Sequence, residues 1–211
     1  MHNVILGENQ TKCELLLGCQ VESNLKWHAQ VASLTAKLGK RLAGLQNIKF
    51  IAPLAVRKKV AEGVFNSVLV YCLPLFGGSE IGHIKDLQIL QNRAAQIVCH
   101  APPRSSRVML FERLGWLSVN QLITYHTLIN VYKIRSCGEP EYLAQFLQND
   151  SPTGRIIRTN TDLSLALRSF TFRGAAQWNS LPPAVRNLTK IGKFKKQLRG
   201  WILSNTPRFL D

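Results

Sequence analysis

Apolar residues recur at spacings of three and four along most of this chain, the mark of helices that each bury one side. Trp27, Val31, Leu34, Leu38, Leu42 and Leu45 form the first such stripe and predict a helix from about Asn24, a suitable N-cap, to Gln46. A second helix is expected from Ala52 to Cys72, with Val56, Val60, Val64, Val68 and Tyr71 facing inward. Pro53 suits its first turn, and Pro74 with Gly77-Gly78 ends it. A third runs from Ile81 to His100, with Ile84, Leu87, Leu90, Ala94 and Val98 on one face and Pro102-Pro103 as its stop. A short helix follows over Val108 to Leu114. Ser118 and Gln121 then form a capping box, and Leu117 and Leu122 a hydrophobic staple, which open a fifth long helix. It carries Leu122, Tyr125, His126, Ile129 and Tyr132 and stops at Gly138 and Pro140. A last helix over Lys190 to Ser204 has Ile191, Phe194, Leu198, Trp201 and Ile202 on one stripe.

Two stretches break the helical pattern. Residues 3–22 read as extended chain, because Glu14 to Val21 has too few polar positions for an amphipathic helix; two short strands around Asn9-Gln10-Thr11 are expected. From Gln148 to Thr161, QNDSPTGRIIRTNT, the sequence turns polar and reads as an exposed loop or linker. The expected fold is therefore mainly α, a helical bundle with a short N-terminal β segment and a basic C-terminal helix. Its expected parts are a β segment over 1–22, a helical domain over 23–147, a linker over 148–161, and an aromatic-rich basic segment over 162–211.

Charge narrows the choice of partner. The 211 residues hold 27 Lys and Arg against 12 Asp and Glu, a net +15, and apolar residues make up 45%, enough to build a core. Residues 151–211 alone have eleven basic and two acidic side chains, a net +9. Such an excess favours polyanionic partners. The five cysteines are odd in number and form no short-spaced pair, which argues against a disulfide framework and for a reducing compartment. No CxxC or HxxxH spacing occurs, and Cys99 and His100 would point about 100° apart on a helix. No metal site and no cofactor are expected. The N-terminus lacks the pattern of a secretory signal, and the uncharged run Gly63 to Ser79 is too short and too broken to span a bilayer. The expectation is an intracellular chain, nuclear or cytoplasmic, neither secreted nor bound to membrane.

The strongest candidate for binding is the closing helix. Lys190, Lys193, Lys195, Lys196 and Arg199 surround its apolar stripe, as a phosphate-contacting face or as an ordinary solvated surface. Arg57, Lys58 and Lys59 form a second basic group that would approach Lys40-Arg41 if the first two helices make a hairpin; here too phosphate contact and solvation both stand. Phe170, Phe172 and Trp178 fit either base stacking or a core. His126 shares a face with Leu122 and Ile129 and reads as a core histidine. No GxSxG, P-loop or HExxH is present, and Asp86, Asp150, Asp162 and Asp211 are too scattered to read as a metal-holding pair for phosphoryl transfer. The chain is not expected to be an enzyme on its own, nor to take a small-molecule substrate.

Several spaced motifs, taken in order, resemble the C-terminal region of non-LTR (LINE-type, jockey- or RTE-like) retrotransposon reverse transcriptases. They are Leu17-Gly18-Cys19 with Asn24-Leu25-Lys26-Trp27-His28, then Val70-Tyr71-Cys72-Leu73-Pro74-Leu75-Phe76-Gly77-Gly78, and Leu87 with Leu90-Gln91-Asn92-Arg93-Ala94-Ala95. Leu114-Gly115-Trp116-Leu117 and Trp178-Asn179-Ser180-Leu181-Pro182 complete the set. Cys72 and Phe76 stand where the family usually has Gly and Trp. The resemblance implies a thumb-and-post-thumb fragment of an RNA-directed DNA polymerase, with residues 1–22 as a remnant of the palm. The family's catalytic aspartates lie upstream of the matched motifs, so no catalytic residue carries over. The implied residual capacity is sequence-tolerant binding of RNA, DNA or RNA–DNA hybrid through backbone phosphates. The competing expectation is a helical interaction or structural module that binds no nucleic acid, or a transposon relic without function.

Overall fold

The structure, a computed structural model, describes residues 13–22, 26–147, 154–156, 166–167 and 169–207. The protein is mainly α-helical, with a two-stranded antiparallel hairpin at the N-terminal end. The hairpin pairs β1 (Cys13–Leu16) with β2 (Cys19–Glu22), Leu16 opposite Cys19. Its two-residue turn is Leu17-Gly18, both at positive φ (48° and 79°), the backbone that a tight hairpin of this twist needs. The turn thus lies beyond the expected Asn9-Gln10-Thr11, which falls outside the described residues. Nothing in the period-two pattern marks Leu17 as a turn residue.

The first helix, α1 (His28–Asn47), buries Val31, Leu34, Leu38, Leu42 and Leu45, as its stripe requires. The expected N-cap, Asn24, lies outside the described residues. At this end the Glu22 carboxylate accepts the backbone N–H of His28 at 2.7 Å, so a side chain from the hairpin satisfies a first-turn amide.

The second helix departs from expectation. It is interrupted as α2 (Leu54–Ala61), a π-helical turn over Glu62–Asn66, α3 (Ser67–Val70) and α4 (Leu73–Phe76), with Cys72 in a left-handed conformation before α4. Its inward face is Ala61, Phe65, Leu69, Leu73 and Phe76, all fully buried. Most of the expected stripe faces outward: Val56 is 45% exposed, Val60 and Val64 36%, and Tyr71 52%, while Val68 is partly buried against the core. Two apolar stripes adjoin on this segment. The one with the two phenyl rings removes more apolar area from water and takes the core position.

The next elements follow the pattern closely. The long α5 (Ile81–Cys99) buries Ile84, Leu87, Leu90, Ala94 and Val98 against α1, and the short α6 (Arg107–Leu114) buries Leu110, Phe111 and Leu114. The helix α7 (Val119–Cys137) starts at the expected capping box: Gln121 N–H donates to Ser118 Oγ at 3.3 Å, and Ser118 N–H to Gln121 Oε1 at 3.2 Å. It ends with Gly138 at φ 73°. Beyond it are α8 (Glu141–Leu147), α9 (Phe170–Ser180), α10 (Pro183–Arg186) and α11 (Ile191–Asn205).

Buried side chains form two clusters that meet on α7. The first joins α1 to α6 and reaches Val119 and Ile123; the second joins Leu128 to Ile134 with α8, α9, α10 and α11. The hydrophobic core therefore does not divide at residues 148–161. Most of that expected linker lies outside the described residues, but the segments on either side share one apolar cluster, because α9 and α11 both pack on α7. Polar contacts join the clusters as well. Buried Gln88 accepts Val119 N–H at 2.8 Å, Gln91 donates to Leu117 O at 2.9 Å, and Arg173 on α9 donates to Pro74 O at 2.7 Å.

Candidate nucleic-acid interface

The closing helix sits on α7 through Phe194, Leu198 and Ile202, all with no exposed surface. The Phe194 ring stacks on Tyr132, centroids 4.4 Å apart, and lies 5.9 Å from the Trp178 ring. With this stripe held inward, the 100° step of a helix sends Lys193 and Lys196 to the outer face and Lys195 and Arg199 to one flank. Lys190 is the N-cap. Lys190, Lys193, Lys195 and Lys196 are exposed, and none forms an ion pair among the described residues. Trp201 is half-buried, and Ile191, the outermost position of the expected stripe, is 37% exposed.

Arg199 has a second task. It is half-buried and donates through Nη2 to the carbonyl of Gly115, the left-handed residue that ends α6. The next residue, Trp116, donates its indole N–H to Glu62 Oε1 at 3.0 Å, and Lys58 Nζ lies 3.9 Å from the same oxygen. The Gly115-Trp116 turn thus connects the closing helix to the basic group on α2, though the two are far apart in sequence.

Within that second group the three residues differ. Arg57 is committed to the fold: its Nε donates to Val98 O at 2.8 Å, and its Nη1 to Lys49 O and Ala52 O at 2.8 and 2.7 Å. It ties the end of α5 to the turn between α1 and α2, satisfying carbonyls that a helix end leaves open. Lys58 is half-buried beside Glu62, and Lys59 is exposed. The first two helices do touch, and Lys40 and Arg41 are exposed on α1.

The aromatic residues sort as packing elements. Trp178 is buried and donates its indole N–H to Gly154 O at 3.2 Å, while Phe170 and Phe172 are half-buried on α9. Asn179 exchanges two hydrogen bonds of 2.8 Å with the backbone of Ile156, so the Trp-Asn pair secures the 154–156 segment. Among the motif positions quoted above, Leu87, Leu90, Gln91, Trp116, Leu117, Trp178 and Leu181 are buried and organise the core, whereas Leu17, His28 and Tyr71 are exposed.

His126 is half-buried on α7. Burial pushes its imidazole below the ordinary range, and Lys195 and Lys133 push the same way. It lines a groove of about 670 Å³ with Tyr71, Cys72, Leu75, Lys133 and Phe170. The sequence reading also missed one convergence of metal-ligating groups: His28, Glu80 and His83 bring their ligand atoms within 4.8 Å of one another. Its only local signal was the Glu80–His83 spacing of three, since His28 comes from another helix. No helix among the described residues is long and apolar enough to cross a membrane.

No protein-family model, no curated protein and no solved structure matches this chain.

Proposed function

We propose that this protein binds polynucleotides through their phosphates, tolerant of sequence, using the outer face of α11 as its main contact. The observation that carries the reading is the set Lys190, Lys193, Lys195 and Lys196: four exposed ammonium groups without an ion-pair partner among the described residues, on a helix whose opposite stripe is fully buried. A helix docked this firmly presents its charges in a fixed array, and releasing condensed counterions from nucleic acid favours association. Lys59 extends the face from α2, while Arg57 and Arg199 contribute mainly by holding the elements in place. The likeness of the ordered motifs to the thumb and post-thumb region of LINE-type reverse transcriptases supports the same reading. It frames the chain as a template-holding region of such a polymerase.

Fluorescence anisotropy with labelled RNA, DNA and hybrid duplexes tests this. Four to five phosphate contacts give log affinity a slope against log salt of roughly −4 on duplex. Replacing Lys190, Lys193, Lys195 and Lys196 with Gln brings that slope close to zero while helical circular dichroism stays unchanged, since none of the four side chains packs inward. A salt response unchanged by the four substitutions, or no binding at low salt, refutes the proposal. One observation favours the second reading, a protein-docking module: Val56, Val60 and Val64 form an exposed apolar stripe on one side of α2 and its π-helical turn. Failure of all three nucleic acids to bind would leave that reading standing.

A further inference from the structure

A corner between two helices holds a second site, independent of the cationic face. His28 is the first residue of α1, Glu80 the N-cap of α5, and His83 lies in the first turn of α5. His28 Nδ1 and His83 Nε2 face one another at 3.0 Å, with the rings edge-on at an interplanar angle of 88°. Nδ1 of His83 is buried without a hydrogen-bond partner, which leaves Nε2 as the nitrogen able to reach a ligand. A carboxylate oxygen of Glu80 lies within 4.8 Å of the imidazole nitrogens.

We propose that His28, Glu80 and His83 form a binding site for a divalent first-row cation of the Zn²⁺ class. Zinc–nitrogen bonds of about 2.0–2.1 Å at a tetrahedral angle put two nitrogens about 3.3 Å apart. The observed 3.0 Å needs only a small opening, which the exposed His28 side chain can supply. Glu80 is exposed and closes on the ion by turning its side chain. Two imidazoles and one carboxylate suit a borderline metal better than Ca²⁺ or Mg²⁺, which take oxygen ligands. The fourth position is left to water.

The charge balance supports the choice. Only 12 of the 211 residues are acidic, yet Glu80 and Glu22 both come to this corner. The Glu22 carboxylate accepts the N–H groups of His28 and Ala29, at 2.7 and 3.4 Å, and so offsets the positive end of α1 that would otherwise repel a cation. A bound ion would join the first turns of α1 and α5 and pin the hairpin residue Glu22 beside them.

The test is calorimetric titration of the full chain with Zn²⁺, in a background where the exposed Cys13 and Cys137 are Ser so that surface thiols do not compete. The expected result is one equivalent bound. Binding should weaken by more than about tenfold in His28→Ala and in His83→Ala, since losing even an outer-shell partner costs that much, and to a smaller extent in Glu80→Gln. Co²⁺ substitution should give a d–d spectrum without a sulfur-to-metal band. His28 and Glu80 are exposed, so these two variants fold whatever His83→Ala does. Absence of binding, a sulfur-to-metal band, or affinity unchanged in His28→Ala would overturn the proposal.

Discussion

Truncating Phe194 to Ala examines whether the basic helix is held as a rigid platform. The side chain has no exposed surface, stacks on Tyr132 at 4.4 Å and lies 5.9 Å from Trp178. Removing a buried phenyl ring costs about 3–5 kcal/mol, the transfer energy together with the cavity left behind. Tyr132 belongs to α7 and Trp178 to α9, so neither ring can follow the vacated space without moving its helix. That places the loss toward the upper half of the range. For a chain of this size, about 2–4 °C of melting temperature per kcal/mol makes the fall about 8–20 °C. Urea unfolding followed by far-UV circular dichroism and by tryptophan fluorescence reads the effect. Because α7 belongs to both apolar clusters, and Gln88 and Gln91 bond across to its N-terminal end, the two signals should move together in both proteins. A loss below about 1 kcal/mol would refute the inward docking of α11. An early fluorescence transition with the far-UV signal preserved would refute the shared core.

Three further outcomes follow from the same packing. Arg57→Gln should cost at least about 2 kcal/mol in urea unfolding, because three charge-assisted bonds to Val98, Lys49 and Ala52 are lost, yet weaken polynucleotide binding no more than Lys59→Gln does in anisotropy. At Gly174 an added Cβ would lie 2.8 Å from Val131 Cγ2, so Gly174→Ala should destabilise by about 1–3 kcal/mol, and Val131→Ala in the same chain should return part of that loss in a double-mutant cycle. His126 sets a pH response: burial, then Lys195 and Lys133, hold its folded imidazole below 6.5, the unfolded value. The unfolded chain then binds the extra proton, so the stability contributed by neutral His126 is present above pH 6.5 and lost as the pH falls toward the folded value. Unfolding of the native chain and of His126→Gln across pH 7.5 to 5.5 should show the steeper loss in the native chain, and NMR titration of Lys195→Gln should show the His126 midpoint raised.

Much of this architecture is legible in the amino-acid sequence. The stripes of α1, α5 and α11, the capping box at Ser118 and the glycine stop at Gly138 depend on groups within about one or two turns of each other, and a short-range pattern records short-range bonds. The candidate site was legible only in part: the exposed lysines of the closing helix could be read from its stripe, since whatever is not on a buried face points out. Arg57 could not be separated from Lys58 and Lys59, because its acceptors are carbonyls as far away as Val98.

By itself, then, the amino-acid order determined that this chain is helical, where its four longest helices run, and that its last third is a strongly cationic segment. Tertiary structure alone decided which of two apolar stripes on residues 54–76 turns inward, that α9 and α11 share a core with α7 across the polar stretch at 148–161, and that His28 meets His83. Each of those outcomes is a competition between surfaces distant along the chain. The result depends on how much apolar area every alternative removes from water, a quantity that exists only once the partners are in contact.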